Sequence, residues 1–158
     1  MGVTLRMAGP ADRSAVIELI HKLNVFEADL TGDRRRDHGA ARDYYNELLQ
    51  RLAGRQGRIV LAEADGLVVA AMGFSVDQDA AYVTDDVRRH GTVTDLIVHE
   101  EWRGRGIGQM LLKEAERLTR EAGLRRLMIG ALVANGRAER TYRDFGFEPY
   151  VSYMVKAL

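Results

Sequence analysis

Apolar and polar positions alternate weakly from Val3 to Met7, and Gly9-Pro10 follows, so the chain should open on a short strand before a helix over about Ala11 to Leu23. Val16, Leu19, Ile20 and Leu23 form that helix's apolar stripe. The polar stretch TGDRRRDHG reads as a solvated loop. Ala41, Tyr45, Leu48, Leu49 and Leu52 then recur at helical spacing, which predicts a second helix over about Ala41 to Ala53. After GRQG, the apolar runs RIVLAEA and LVVAAMGFSV flank Asp65-Gly66, the signal of a two-residue hairpin turn between antiparallel strands. Residues 77–91 are polar and read as a long loop. A strand from Thr92 to Val98 leads through a glycine segment into a helix that carries Ile107, Leu111, Ala115, Leu118 and Ala122 inward and stops at Gly123. A strand over Leu127 to Val133, a short helix over Gly136 to Phe145 and a last strand over Tyr150 to Val155 complete the pattern.

Strand, glycine turn, helix and strand form a crossover unit, which pairs its two strands in parallel. Joined to the hairpin, this predicts an α/β (α+β) fold: a mixed, mostly antiparallel central sheet with helices on both faces. The 158 residues fit a single domain spanning 1–158. Lys and Arg number 23, as do Asp and Glu, so net charge gives no case for nucleic acid or an anionic membrane as a partner. Cys is absent, which removes disulfides, thiolate metal ligands and a cysteine nucleophile together and suits a cytoplasmic protein. No apolar run approaches the roughly 20 residues of a membrane span. The histidines show no metal-ligand spacing, and no metal is expected.

The segment VHEEWRGRGIGQMLLKEAE carries the candidate chemistry. The first turn of a helix holds four backbone N–H groups without intrahelical partners at the positive end of its dipole, and glycines let a bulky anion approach them. A P-loop would need Lys and Ser or Thr where Gln109 and Met110 stand. The dinucleotide fingerprint needs a small third residue but meets Gln109 or Leu111. What remains is R-x-x-G-x-G, Arg103 to Gly108, after an apolar strand. With Asn135, Ala138, Tyr142 and Gly146-Phe147, spaced as N-x-x-A-x-x-x-Y-x-x-x-G-F, the chain resembles the GNAT acetyltransferase superfamily from Val93 to Val155.

The resemblance implies a V-shaped cleft for acetyl-CoA. The backbone of Leu96, Ile97 and Val98 would bond the pantetheine arm as another strand would. The amides from Gly104, Arg105, Gly106, Ile107 and Gly108 to Gln109, rimmed by Arg103, would meet the pyrophosphate, and Asn135 with its neighbours Gly136 to Ala138 would border the cofactor near the thioester. It also implies direct acetyl transfer to an amine, with Tyr142 as general acid. Other readings stand beside these: Tyr142 lies on a helical stripe with Ala138 and Phe145 and could be core, Asn135 could be an N-cap, and Trp102 could anchor the loop by packing. Relatives carry a glutamate as base on the central strand or the next; the matching positions here are Thr92, Thr94 and Gly130. Asp95 is the nearest carboxylate, and strict alternation would point it with Val93 and Ile97, a count that a bulge in this strand would alter. A water chain is its rival, and Glu27, on the expected substrate-side loop, is a further candidate. The acidic Asp77, Asp79, Asp85 and Asp86 favour a cationic acceptor and Arg34, Arg35 and Arg36 an acidic group on it, so charge does not decide the acceptor; the resemblance implies a small-molecule or protein amine. Twelve residues follow Gly146, room for one strand where relatives often have two, which raises the expectation of a homodimer. The alternative class is a catalytically weak acyl-CoA-binding sensor or interaction module.

Overall fold

The computed structural model describes residues 2–158. Strand β1 spans Thr4–Met7, and a 3-10 turn over Pro10–Asp12 leads into helix α1, Arg13–Thr31. Asp12 closes this entry: its carboxylate accepts from the Gly9 amide at 2.8 Å and from both terminal nitrogens of Arg6 at 2.8 Å, while Arg6 Nε reaches Glu63 at 2.7 Å. Helix α1 runs eight residues past the Leu23 that the periodicity predicted, because Ala28 continues its buried stripe and a stop comes only at Gly32, in the left-handed region at φ 73. Glu27 therefore lies on a helix, not on the loop expected for it.

Helix α2, His38–Leu52, is capped by the Asp37 side chain, which accepts from the Ala40 amide. It buries Ala41, Tyr45, Leu48 and Leu52, while Leu49, counted on the inward stripe from its spacing, is 43% exposed. Strands β2, Arg58–Ala64, and β3, Leu67–Gln78, form the expected hairpin, with Asp65 at φ 52 and Gly66 at φ 76, the two positive angles a type I′ turn requires. The long loop expected at 77–91 is shorter. A single helical turn, α3 (Asp85–Arg88), precedes β4, which spans Arg89–Val98. Helix α4 covers Ile107–Glu121, β5 Leu127–Ile129 and α5 Gly136–Phe145.

The five strands lie in the order β1-β2-β3-β4-β5, antiparallel except for the parallel β4-β5 pair. On one face Leu61, Ala71 and Ile97 pack against α1 and α2. On the other, Val60, Met72, Phe74 and Val93 pack against Ile107, Leu111, Leu112, Ala115 and Leu118 of α4. Each of these side chains other than alanine contributes about 1.5–3 kcal/mol when fully buried.

Two irregularities shape the functional end of the sheet. Gly73 faces Asp95 and Phe74 faces Val93, so Thr94 has no opposite number in β3 and forms a bulge. Val93 packs on the α4 side and Ile97 on the α1–α2 side. Asp95 thus shares a face with Ile97 but not with Val93, which corrects the alternation count. The parallel pairing also stops here, at Val93 opposite Ile129, so β5 has three paired residues and not the seven its apolar run suggested. From Thr94 onward one edge of β4 has no strand beside it. The last strand expected over Tyr150 to Val155 does not form. These residues are exposed, Tyr153 at 94% and Met154 at 97%, because a three-residue edge strand offers too few hydrogen bonds to offset the entropy of ordering six more residues.

Candidate active site

Where β4 and β5 part, the chain leaves Val98 through a 3-10 turn, Glu100–Trp102, capped by His99 Nδ1, which accepts from the Glu101 amide. Trp102 packs on the α4-side core, as an anchoring role requires. Gly104 and Gly106 then take left-handed angles, φ 74 and 77, that L side chains adopt only under strain, and α4 begins at Ile107. Its first intrahelical hydrogen bond is from the Met110 amide to Gly106 O at 3.0 Å. Among the described residues the amides of Ile107, Gly108 and Gln109 have no acceptor, and a Cβ at Gly104, Gly106 or Gly108 would meet only open space. Free donors at the positive end of a helix, over a bare backbone, fit a diphosphate.

This turn opens into a cavity of about 880 Å³. Leu96, Ile97 and Val98 form one wall, and Arg103, Gly104, Gly106, Ile107, Gly108 and Gln109 form its end. Asn135, Ala138 and Tyr142 face them from α5 and the turn before it. Asn135 is an N-cap as well, its Oδ1 accepting from the Ala138 amide at 3.2 Å. Tyr142 lines the cavity and packs against the α4-side core, meeting Phe147 edge to face at 6.1 Å. Arg105 is not brought in. Its guanidinium stacks over Trp102 at 4.6 Å and donates to Glu101 O at 3.2 Å, so of the two loop arginines only Arg103 faces the cavity.

Asp95 lines the other half, as do Glu27 and the bulged Thr94. The Tyr44 hydroxyl donates to the Asp95 carboxylate, 2.9 Å from Oδ1 and 3.1 Å from Oδ2. Burial pushes Asp95 above the usual carboxylate range, opposed by the Tyr44 hydrogen bond. Burial, then the charges of Glu27 and Asp95, push the Tyr142 phenol up to about 12, so it holds its proton at any physiological pH. Tyr44 is raised as well, first by burial and then by Asp95. Gly73 sits beneath this pair: a Cβ there would overlap Thr94 Oγ1 and come within 3.3 Å of Asp95 Oδ2.

Arg137 of α5, within the Gly136–Ala138 stretch expected at the cofactor, lines the cavity, as do Asp43, Tyr44 and Glu47 of α2 and Phe26 of α1, which sequence reasoning missed. Tyr44 had a weak signal, an aromatic beside the buried stripe; Phe26 had none that separates it from surface residues. The acids expected to face the acceptor lie elsewhere, for Asp77 pairs with Arg55 at 2.7 Å and Asp79 with His90 at 3.4 Å. Arg34 and Arg35 reach the cavity already paired, with Glu27 and Asp33 and with Asp37 and Asp43. Arg36 pairs with Asp29.

Residues 23–147 match the acetyltransferase (GNAT) family model. The chain is 31% identical over 147 residues to aminoglycoside N(6')-acetyltransferase type 1 of Stenotrophomonas maltophilia, covering 92% of this chain and 86% of that one. In fold it is similar to a GCN5-related N-acetyltransferase from Ralstonia eutropha JMP134, with TM-score 0.75, 24% identity and 99% of both chains covered. It is also similar in fold to a predicted acetyltransferase from Clostridium acetobutylicum solved with acetyl-CoA, with TM-score 0.72, 17% identity, and 99% and 96% of the two chains covered.

Proposed function

The chain belongs to the acetyltransferase (GNAT) family, and from that premise we propose that it transfers the acetyl group of acetyl-CoA directly to a small-molecule amine, with Tyr142 as general acid and Asp95 as the group that receives the amine's proton. The observation that carries this reading is the parting of β4 from β5 at Val93, which leaves Asp95 and Tyr142 lining one cavity that ends on the free amides of α4. Bound there, acetyl-CoA supplies a thioester carbonyl for the amine to attack and a thiol as leaving group.

The amides of Ile107, Gly108 and Gln109, with Gly104, Gly106 and Arg103 around them, hold the diphosphate. The open edge of β4 offers the backbone groups of Leu96 and the Val98 amide to the pantetheine arm, as strand addition does, while Ile97 pairs with β3 and the Val98 carbonyl accepts from Arg103. Asn135 and Ala138 border the far wall. An alkylammonium has a reference pKa of about 10.4, so roughly one amine in a thousand is neutral at pH 7 and a proton acceptor is needed. Asp95, raised by burial, accepts a proton more readily than an exposed carboxylate does. Tyr142, protonated up to about pH 12, donates to the departing sulfur. Glu27, placed on α1 at the cavity wall, acts on the acceptor through its field. A relative that is an aminoglycoside acetyltransferase supports a soluble amine as the acceptor. We also propose a homodimer, supported by the exposed apolar stripe of Tyr153, Met154 and Val155.

The test measures thiol release from acetyl-CoA with a panel of soluble amines. Amine-dependent release, reduced in Asp95→Asn and Tyr142→Phe, is the expected result; coenzyme binding with no amine-dependent release from any of them would overturn the reading.

A further inference from the structure

Four arginines line the cavity, and they differ in one respect. Arg34 and Arg35 are neutralised by carboxylates. Arg103 and Arg137, among the described residues, form no ion pair, although they come from opposite walls: Arg103 from the glycine turn after β4, Arg137 from the first turn of α5. Both guanidiniums converge on one ring, that of Phe26 on α1, with Cζ 5.8 Å and 5.6 Å from its centroid. The ring face attracts each cation. It does not cancel their mutual repulsion, which adds to burial in making the charged form of Arg103 less favourable. Arg103 is also held in place, its Nε donating to Val98 O at 3.1 Å.

We infer that Arg137 and Arg103 are the two jaws of a clamp on the donor's diphosphate, with Phe26 as the seat on which the guanidiniums are held before the anion arrives. The inference rests on the proposed use of acetyl-CoA; it adds Phe26 and gives Arg137, which the resemblance puts only near the thioester, a role on the diphosphate. A doubly charged diphosphate beside the amides of α4 lies next to one jaw, and a second cation on the facing wall closes the gap between β4 and α5 around it. A planar guanidinium suits this task better than an ammonium, because it can stack on a ring and present paired N–H donors to phosphate oxygens at once. Arg137 is exposed and makes no intramolecular ion pair, so its replacement leaves the fold unaffected.

The experiment is titration calorimetry of wild type, Arg137→Gln, Arg137→Lys and Phe26→Leu with coenzyme A, dephospho-coenzyme A and pantetheine. Arg137→Gln should weaken coenzyme A and dephospho-coenzyme A alike, by about tenfold, flatten the salt dependence of both, and leave pantetheine unchanged. Arg137→Lys and Phe26→Leu should fall between. Equal binding by wild type and Arg137→Gln, or an equal loss with pantetheine, would overturn the clamp. A loss confined to coenzyme A would overturn the diphosphate assignment in favour of the 3′-phosphate. If wild type binds none of the three, the proposed function itself fails, which separates the two.

Discussion

Asp95 illustrates how much a single inserted residue decides. The bulge at Thr94 turns its carboxylate toward α2, where Tyr44 holds it, and the same bulge needs Gly73 opposite because a methyl group there would collide with Thr94. In the proposed role of proton acceptor Asp95 must be ionised, and burial raises its pKa, so the rising limb of kcat/KM against pH should lie above the ordinary carboxylate value of about 4. Asp95→Asn should abolish that limb. Tyr44→Phe removes the hydrogen bond that favours the carboxylate, so the limb should move to higher pH while the maximum changes little; an unmoved limb means that Tyr44 does not position the base. Tyr142→Phe should lower kcat by roughly a hundredfold, the low end for loss of a general acid, with coenzyme A affinity retained. Steady-state kinetics over pH 5 to 9, with calorimetry, measures all three.

The glycine turn and its helix act as one element, and its glycines have separable roles. Gly106 is needed both for its left-handed angle and for its bareness, whereas Gly108 is needed for bareness alone. Gly106→Ala should cost about 1–2 kcal/mol of stability and also weaken coenzyme A. Gly108→Ala should leave the melting temperature unchanged, or raise it slightly, while still weakening coenzyme A. Thermal melts beside calorimetry distinguish the two. At the start of α1, the hydrogen bonds from Arg6, then the Gly9 amide, lower Asp12 to about 2. A depressed carboxylate stabilises the fold above its unfolded value of about 3.9, and that contribution is lost as pH falls toward 2. Asp12→Asn should therefore show a flatter decline in melting temperature from pH 5 to 2 than wild type; parallel curves would mean the entry to α1 does not depend on that charge.

For the whole molecule, the open question is the partner of the exposed tail. Residues 150–155 have the β-branched and aromatic pattern of a strand and no strand beside them. In the homodimer proposed above the tail pairs with the second copy, so light scattering should give a dimer for the full chain and a monomer for a chain ending at residue 149. A monomeric full chain at 100 micromolar would remove that role. The sequence alone was enough for the order of the elements from β1 to α5 apart from the single turn of α3, for the hairpin at Asp65-Gly66, the glycine-bared start of α4 and the cap at Asn135, because each depends on residues within a few positions of one another. It was also enough to place Tyr142 and Asp95 among the candidates. Tertiary structure alone decided that the sheet opens at Val93, that Asp95 faces Tyr44, that Glu27 sits on a helix wall and that Arg105 turns away while Arg137 turns in. Those outcomes depend on strand register, on a bulge whose extra residue is invisible to periodicity, and on contacts between residues far apart in the chain, which no local pattern of apolar and polar positions encodes.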